Sequence, residues 1–302
     1  MRKSEILNTI ELRQSTVKDY LSCPLMFHFK HLEGIAPAWR HSAALHGSAL
    51  HKLIYLMHES KWHISVKHYY REIFDYYEFQ KAGDCEIPVY WENREKELAA
   101  YEANASEIIE GYRKRADNRE AIIHFAESEF RVKICGQVFT GTIDQIRENK
   151  DGTIELIDFK SSKMQPTLPF LFNDFQLNLY LYAARFGELK SGEAWVKPKL
   201  LPTYSSWYFL RAHEIRKRST VNGNAGEEKL DNPLIRTEKG ITELRDFRKE
   251  VSDLLKVMLK PWHFPNTNHC RICSYTRHCM DRHQNISEDI LVAAQKLLKE
   301  VA

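Results

Sequence analysis

GTIDQIRENKDGTIELIDFK, residues 141 to 160, decides how the rest of the chain is read. Two β-rich stretches flank a turn at Asp151-Gly152, which predicts an antiparallel hairpin. On its second strand Asp158 and Lys160 lie two apart and share a face, while Phe159 points into packing on the other. Register decides whether Asp144 joins them. A two-residue Asp151-Gly152 loop would set position 144 against 159. A three-residue loop, Lys150 to Gly152, sets 144 against 158 and gives Gly152 the left-handed conformation such a loop prefers, and this is the register expected. Two carboxylates side by side repel each other unless a cation offsets them, so Asp144 and Asp158 read as ligands of Mg²⁺ or Mn²⁺. Lys160 would then orient or help deprotonate a water, or neutralise charge developing on a phosphate. For Asp158 to Lys160 taken alone, an ordinary ion pair at a sheet edge is the competing reading.

The 302 residues are 43% hydrophobic and carry a net charge of +3, with mean hydropathy -0.50. That describes a globular chain with a substantial core. No apolar run is long enough to span a bilayer and the first residues lack a secretory apolar core, so a cytoplasmic location is expected. Such a compartment keeps thiols reduced, and clustered cysteines then read as metal ligands or catalytic groups before disulfides. Arg113, Lys114 and Arg115, and Arg211, Arg216, Lys217 and Arg218, are basic clusters that either meet phosphates or form solvated faces.

The first third is helical. Val17, Tyr20, Leu21, Leu25 and Phe29 recur at helical spacing, Thr16 with Asp19 resembles a capping box, and Pro24 starts a fresh helix after Cys23. Residues 43–58 and 91–115 are further amphipathic helices, 122–160 are strands, 172–186 helix, 205–211 strand and 242–259 helix. Residues 219–233, rich in turn formers, read as a mobile loop. One domain, 1–302, is expected. It divides into a helical N-terminal part at 1–120, a catalytic core at 121–215, and C-terminal helices with a cysteine group at 240–302.

Gly141 to Asp144 followed by Asp158-Phe159-Lys160 resembles the core of the PD-(D/E)xK nuclease superfamily, with Ile143 where the eponymous proline would stand. RecB-like members often lack that proline. Their helical glutamine and tyrosine are matched by Gln176 and Tyr180 in FQLNLYLYA, four apart on one helical face. Gly47 and His51 in HGSALH match an upstream glycine and histidine and nominate His51 as a metal ligand, with His46 structural. Glu129 resembles a family acid and is otherwise an exposed strand residue. The resemblance implies an α/β fold with a mixed central sheet flanked by helices. It further implies His51, Asp144, Asp158 and the Phe159 carbonyl around Mg²⁺ or Mn²⁺, and Lys160, Gln176 and Tyr180 in catalysis.

In NHCRICSYTRHCM, residues 268 to 280, the spacing Cys270-x2-Cys273-x5-Cys279 is similar to the C-terminal triad of nucleases resembling the AddB subunit and the CRISPR-associated adaptation nucleases. Their fourth cysteine lies near the N-terminus, where STVKDYLSCPLMFHF supplies Cys23. Four thiolates suit a 4Fe-4S cluster that staples both ends of the chain. Zinc competes, because four cysteines also make a tetrahedral site, as would three with one of His269, His278 or His283. Cys85 and Cys135 fit neither group and read as ordinary thiols.

The activity implied is metal-dependent hydrolysis of DNA as an exonuclease on single strands, with the 5′ end favoured. Trp207 or Tyr208 are candidate stacking platforms for bases, with a place in the core as the competing reading. The rival is a DNA-gripping, cluster-stabilised subunit of a recombination or CRISPR-adaptation complex. No GxxxxGK[ST] loop occurs, so any unwinding belongs to a helicase partner.

Overall fold

The computed structural model describes residues 10–80, 86–162, 167–198, 201–213, 216–218, 226–228, 233–260 and 263–282. Helix α1 (Gln14–Ser22) gives way at Cys23 to α2 (Pro24–Phe27), where proline at the first helical position loses no hydrogen bond, and α2 runs on as a π-helical turn (His28–Leu32). Thr16 lies inside α1 and not at its cap. Its hydroxyl accepts from the Arg13 N–H at 3.3 Å and donates to Glu11 O at 2.8 Å, while Asp19 pairs with Lys30 and His31.

After β1 (Arg40–His41) come α3 (Ser42–Glu59) and α4 (Val66–Glu78), then β2 (Val89–Tyr90), α5 (Arg94–Lys114) and the short α6 (Ala116–Glu120). The long strands β3 (Ile122–Ile134), β4 (Gln137–Glu148) and β5 (Ile154–Lys160) follow. Helices α7 (Leu168–Phe172) and α8 (Phe175–Phe186), the hairpin β6 (Glu188–Ser191) and β7 (Ala194–Val196), and β8 (Tyr204–Phe209) come next. The chain continues through β9 (Arg216–Arg218), β10 (Gly226–Glu228), β11 (Leu234–Glu238) and α9 (Ile241–Met258). β9 and β10 pair with each other, so the segment expected to be one loop contains a strand, and its remainder lies outside the described residues.

The central sheet has seven strands in the order β11-β8-β5-β4-β3-β6-β7. β5 and β8 run parallel while the other neighbours are antiparallel, which is the mixed α/β architecture expected. One face packs Phe130, Ile143 and Leu156 against Leu177 and Leu181 of α8 and Phe247 of α9. The other packs Ile157, Phe159 and Tyr208 against Leu50 and Leu53 of α3, Tyr70 of α4 and Tyr112 of α5. The sheet is thus buried between two helical layers, the condition for strands apolar on both faces. Among the described residues no helix is long and apolar enough to cross a membrane.

Within the sheet, four adjacent strands meet at one carboxylate. Glu155 of β5 accepts from Arg147 of β4 at 3.1 Å, Ser206 of β8 at 2.7 Å and Arg236 of β11 at 2.7 and 3.0 Å. Burial works against its charge, but the guanidiniums and the hydroxyl outweigh it and hold the Glu155 pKa below the ordinary value. Arg147 and Glu155 are wholly buried, so removing one partner strands the other's charge. Glu155→Ala is expected to cost about 3–5 kcal/mol in denaturant unfolding. In the native protein this stabilisation is full above about pH 4.3 and is lost as pH falls, because the folded state holds the depressed pKa.

Candidate active site

The β4–β5 ladder pairs Glu148 with Ile154, Arg147 with Glu155, Ile146 with Leu156 and Gln145 with Ile157. Asn149 N–H bonds Thr153 O at 2.9 Å, which leaves 150–152 as the loop, with Gly152 at φ +79°. This is the three-residue loop expected, and its register continues to set Asp144 across from Asp158. The ladder itself stops at Gln145. There Asp144 Oδ2 accepts the Phe159 N–H at 2.7 Å, so a side chain takes the place of the next ladder carbonyl. On its other edge β5 stays paired with β8 as far as Lys160 and Phe209. The end of β5 is therefore held while a gap opens toward β4.

On the far edge of β4, Ala126 pairs with Gln145 and Ser128 with Ile143, which puts Glu127 across from Asp144. Glu127 has φ +46°, a left-handed conformation that costs a residue with a side chain about 1–2 kcal/mol. Along the outer half of β3, Phe130, Val132 and Ile134 point in and Glu129, Arg131 and Lys133 point out. Glu127 shares the parity of Glu129, and being across from Asp144 it is the acid that joins the pocket: Glu127, His51 and Asp144 present ligand atoms within 4.8 Å of one another. Glu129, the acid anticipated on this strand, is exposed and pairs with Lys190 at 3.3 Å.

His51 arrives on α3, one turn after Gly47. A Cβ at Gly47 would lie 3.0 Å from Ser161 Oγ, so glycine lets the helix approach the chain just beyond Lys160. His51 Nδ1 then reaches to 3.4 Å from Asp144 Oδ2. His46 is structural, as expected: it is buried, with ring nitrogens 2.7 Å from Tyr70 Oη and 2.9 Å from Asn104 Oδ1.

Gln176 of α8 orders the opposite wall. Its Nε2 donates to Asp158 Oδ1 at 2.8 Å and to Tyr180 Oη at 2.9 Å, and its Oε1 accepts from Lys160 Nζ at 2.8 Å. Lys160 Nζ also lies 2.5 Å from Asp158 Oδ2. The amide gives one end to the cation and the other to the anion, which fixes both. The sequence-nominated His51, Asp144, Asp158, Lys160, Gln176 and Tyr180 are thus brought together, with Glu127 added; Phe159 contributes its N–H and packs its ring on Tyr112 and Tyr208.

The site's charges are strongly perturbed. Burial raises the Glu127 pKa to about 7, helped by the Asp144 charge. Burial likewise lifts Asp158 to about 7 against the pull of Lys160. For His51, burial disfavours the imidazolium, but the Asp144 charge and hydrogen bond outweigh it and raise the pKa to about 9. Asp144 itself is lowered: burial opposes ionisation, and His51 and the Phe159 N–H overcome it. Crowded carboxylates beside one imidazole are the donor set of a hard divalent cation. The residues present fit one.

A second constellation lies at the chain ends. Cys23, Cys270 of the 3₁₀ turn (Thr267–Ile272), Cys273 and Cys279 line one cavity of about 110 Å³ with Leu25, Phe29 and Tyr275. Burial raises the thiols of Cys273 and Cys279, and the neighbouring thiols add to it. Asn266 N–H donates to Cys23 Sγ at 3.3 Å and Asn266 Nδ2 to Ser22 O at 2.9 Å. Tyr275 Oη bonds Ile35 O at 3.1 Å, so the two ends are laced directly. His269 also lines the cavity; His283 and Cys85 fall outside the described residues. Cys135 is exposed at the β3–β4 turn.

Two sets of alternatives are decided by the structure. Tyr208 is wholly buried and accepts from Asn118 Nδ2 at 2.7 Å, so it is a core residue and offers no face to a base. Arg113 and Arg115 are engaged with Glu110 and Asp117, the solvated-face reading.

The family model of the PD-(D/E)XK nuclease superfamily matches residues 11–280. Among curated proteins none matches the chain. A solved structure described as "Crystal structure of SSO0001" is 14% identical, with 86% of this chain and 92% of that chain covered, at a TM-score of 0.29, too low to carry an inference.

A divalent cation entering the acidic pocket must displace the protons held on His51, Glu127 and Asp158. Mn²⁺ affinity is therefore expected to rise between pH 6 and 9, since the groups titrate near 7 and 9 in the metal-free protein. Calorimetry at pH 7 in buffers of different ionisation enthalpy should show net proton release on binding. Release of no protons would contradict this assignment.

Proposed function

Because the chain belongs to the PD-(D/E)XK nuclease superfamily, we propose that it hydrolyses DNA phosphodiester bonds with Mg²⁺ or Mn²⁺, as an exonuclease on single strands, the 5′ end favoured. One observation carries this reading. Where β4 and β5 part, a lysine pinned between Asp158 and Gln176 stands beside a pocket of two acids and an imidazole, Glu127, Asp144 and His51. His51, Glu127, Asp144 and Asp158, with the Phe159 carbonyl, would hold the cation. When bound, it would polarise the phosphate and make a nearby water more acidic.

The side chains do the rest. Lys160, with its ammonium fixed by Asp158 and Gln176, points a donor at the attacking water and offsets charge gathering on the phosphate. Gln176 accepts from that ammonium and donates to the same aspartate, so the two are held as a pair. Tyr180 accepts from Gln176 and so sets which way the amide faces. The half-buried setting of Lys160 and the near-complete burial of Asp158 strengthen these interactions by excluding water.

The cysteine cavity is proposed to hold a 4Fe-4S cluster. Four cysteines line one apolar cavity with no carboxylate among its described lining residues, residue types suited to thiolate-ligated metal. Its role would be structural, joining segments already hydrogen-bonded across the whole length of the chain. DNA is the proposed partner, with unwinding left to a separate helicase.

Lys160→Ala and Asp144→Ala proteins, with unchanged melting profiles, are expected to degrade end-labelled single-stranded DNA in Mn²⁺ at least about 100-fold more slowly than the parent. Glu127→Gln should fall with them. Parent-like rates would end the enzyme reading. A circular single strand tests the need for an end, and 5′ and 3′ labels give polarity. Separately, Cys23→Ala protein purified without oxygen should lose iron, sulfide and visible absorption together. Undiminished metal would remove Cys23 from the ligand set, and zinc without iron in the parent would replace the cluster.

A further inference from the structure

Beside the site lies an open groove of about 810 Å³ lined by residues of α1 and α7, with Lys160 and Gln176 among its lining. Lys18 and Gln14 line one wall; Phe170 of α7 and Trp207 of β8 line another. The two aromatic rings meet edge to face at 5.9 Å, and Lys160 Nζ lies 5.1 Å from the Trp207 ring. Phe170 is 56% exposed although it sits at the mouth of a polar site.

That exposure is built rather than frayed. Thr167 Oγ1 caps α7 by accepting the Phe170 N–H at 3.4 Å, and Leu171 of the same turn is wholly buried. The buried ammonium of Lys239 donates to Phe172 O, at the end of α7, and to Asn178 Oδ1 of α8. A buried ammonium is costly, as the lowering of Lys239 to about 8 by burial shows. The fold bears that cost and thereby holds a short turn that leaves a large aromatic side chain facing solvent. Asp174, which also lines the groove, is engaged as the α8 cap through the Leu177 N–H at 2.8 Å.

We infer that the α1–α7 groove is a nucleobase subsite, in which an unpaired base of the strand being cut stacks on Phe170 while Lys18 meets the adjoining phosphate. The inference rests on the nuclease reading of the neighbouring residues and deepens it. Continuity supports the assignment, because Lys160 and Gln176 of the site themselves line this groove. Chemistry supports it as well: an aromatic face beside a cation matches a base beside its phosphate. A paired base keeps its π-face inside the duplex stack, so the groove selects unpaired strand.

The test separates binding from cutting. Single-stranded DNA carrying 2-aminopurine is titrated in Ca²⁺ with the full chain, with Phe170→Ala and with Phe170→Tyr; cleavage by each is followed in Mn²⁺. Expected is quenching by the parent and by Phe170→Tyr. Phe170→Ala should show loss of quenching and roughly tenfold weaker binding to single strands, with duplex binding unmoved. Lys18→Ala should weaken binding and flatten its salt dependence while leaving the quench intact. If the parent cuts DNA and Phe170→Ala binds and quenches as it does, the subsite is overturned and the nuclease reading stands. If the parent neither binds nor cuts, both fall.

Discussion

The structure depends on where β4 stands against its two neighbours. Two tight turns set it. Cys135 and Gly136, at φ +51° and +84°, close β3 onto β4, and Gly152, at φ +79°, closes β4 onto β5. Such turns admit few registers, and each register carries a whole strand of side chains with it. With Ile134 paired to Gln137 and Glu148 to Ile154, positions 127, 144 and 158 fall in one row across three strands. A slip of one residue at either turn would trade an acid for an apolar neighbour. The chemistry of the pocket is therefore specified at turns far from it.

Bringing those acids together is unfavourable in itself, which is why so much around them is cationic or fixed. His51 and Lys160 supply charge on opposite sides, and Gln176 supplies a neutral spacer with both a donor and an acceptor. Burial of Asp158 would otherwise keep it protonated; the lysine draws it toward ionisation without completing the task. The left-handed backbone at Glu127 adds strain at the same spot. Strain and crowded charge held by the surrounding fold are the mark of a site selected for reaction rather than for stability.

Much of this was legible in the sequence because it follows from strict periods. Two-residue spacing places Asp158 and Lys160 on one face, four-residue spacing joins Gln176 to Tyr180, and Gly152 announces the register that brings Asp144 to Asp158. Glu127 was not legible by the same logic. Alternation gives it the same parity as Glu129, so the period alone does not say which of the two acids lies across from Asp144. A signal was nonetheless present: reading Cys135-Gly136 as a two-residue turn counts back from Asp144 to residue 127. Tyr208 follows the default for an aromatic residue on a central strand and is core, while its neighbour Trp207 reaches the groove. The helices of the first third were visible from their apolar spacing, whereas Thr16 drew attention as a cap because its hydroxyl does bond backbone, one turn later than the pattern implies.

Helix α1 ties the two constellations into one device. Gln14, Lys18, Leu21 and Ser22 line the groove that Lys160 also lines, and the next residue, Cys23, lines the cysteine cavity. Thr16 and Val17 anchor the same helix in the core, and Leu12, just before it, bridges to Phe139 of β4. One wall of the groove is thus positioned at one end by the sheet and at the other by the C-terminal segment. Asn266 bonds both Ser22 O and Cys23 Sγ, so the C-terminal segment grips this junction directly. The junction that carries Cys23 therefore helps set where α1 lies, and α1 in turn supplies four of the residues that line the groove beside Lys160.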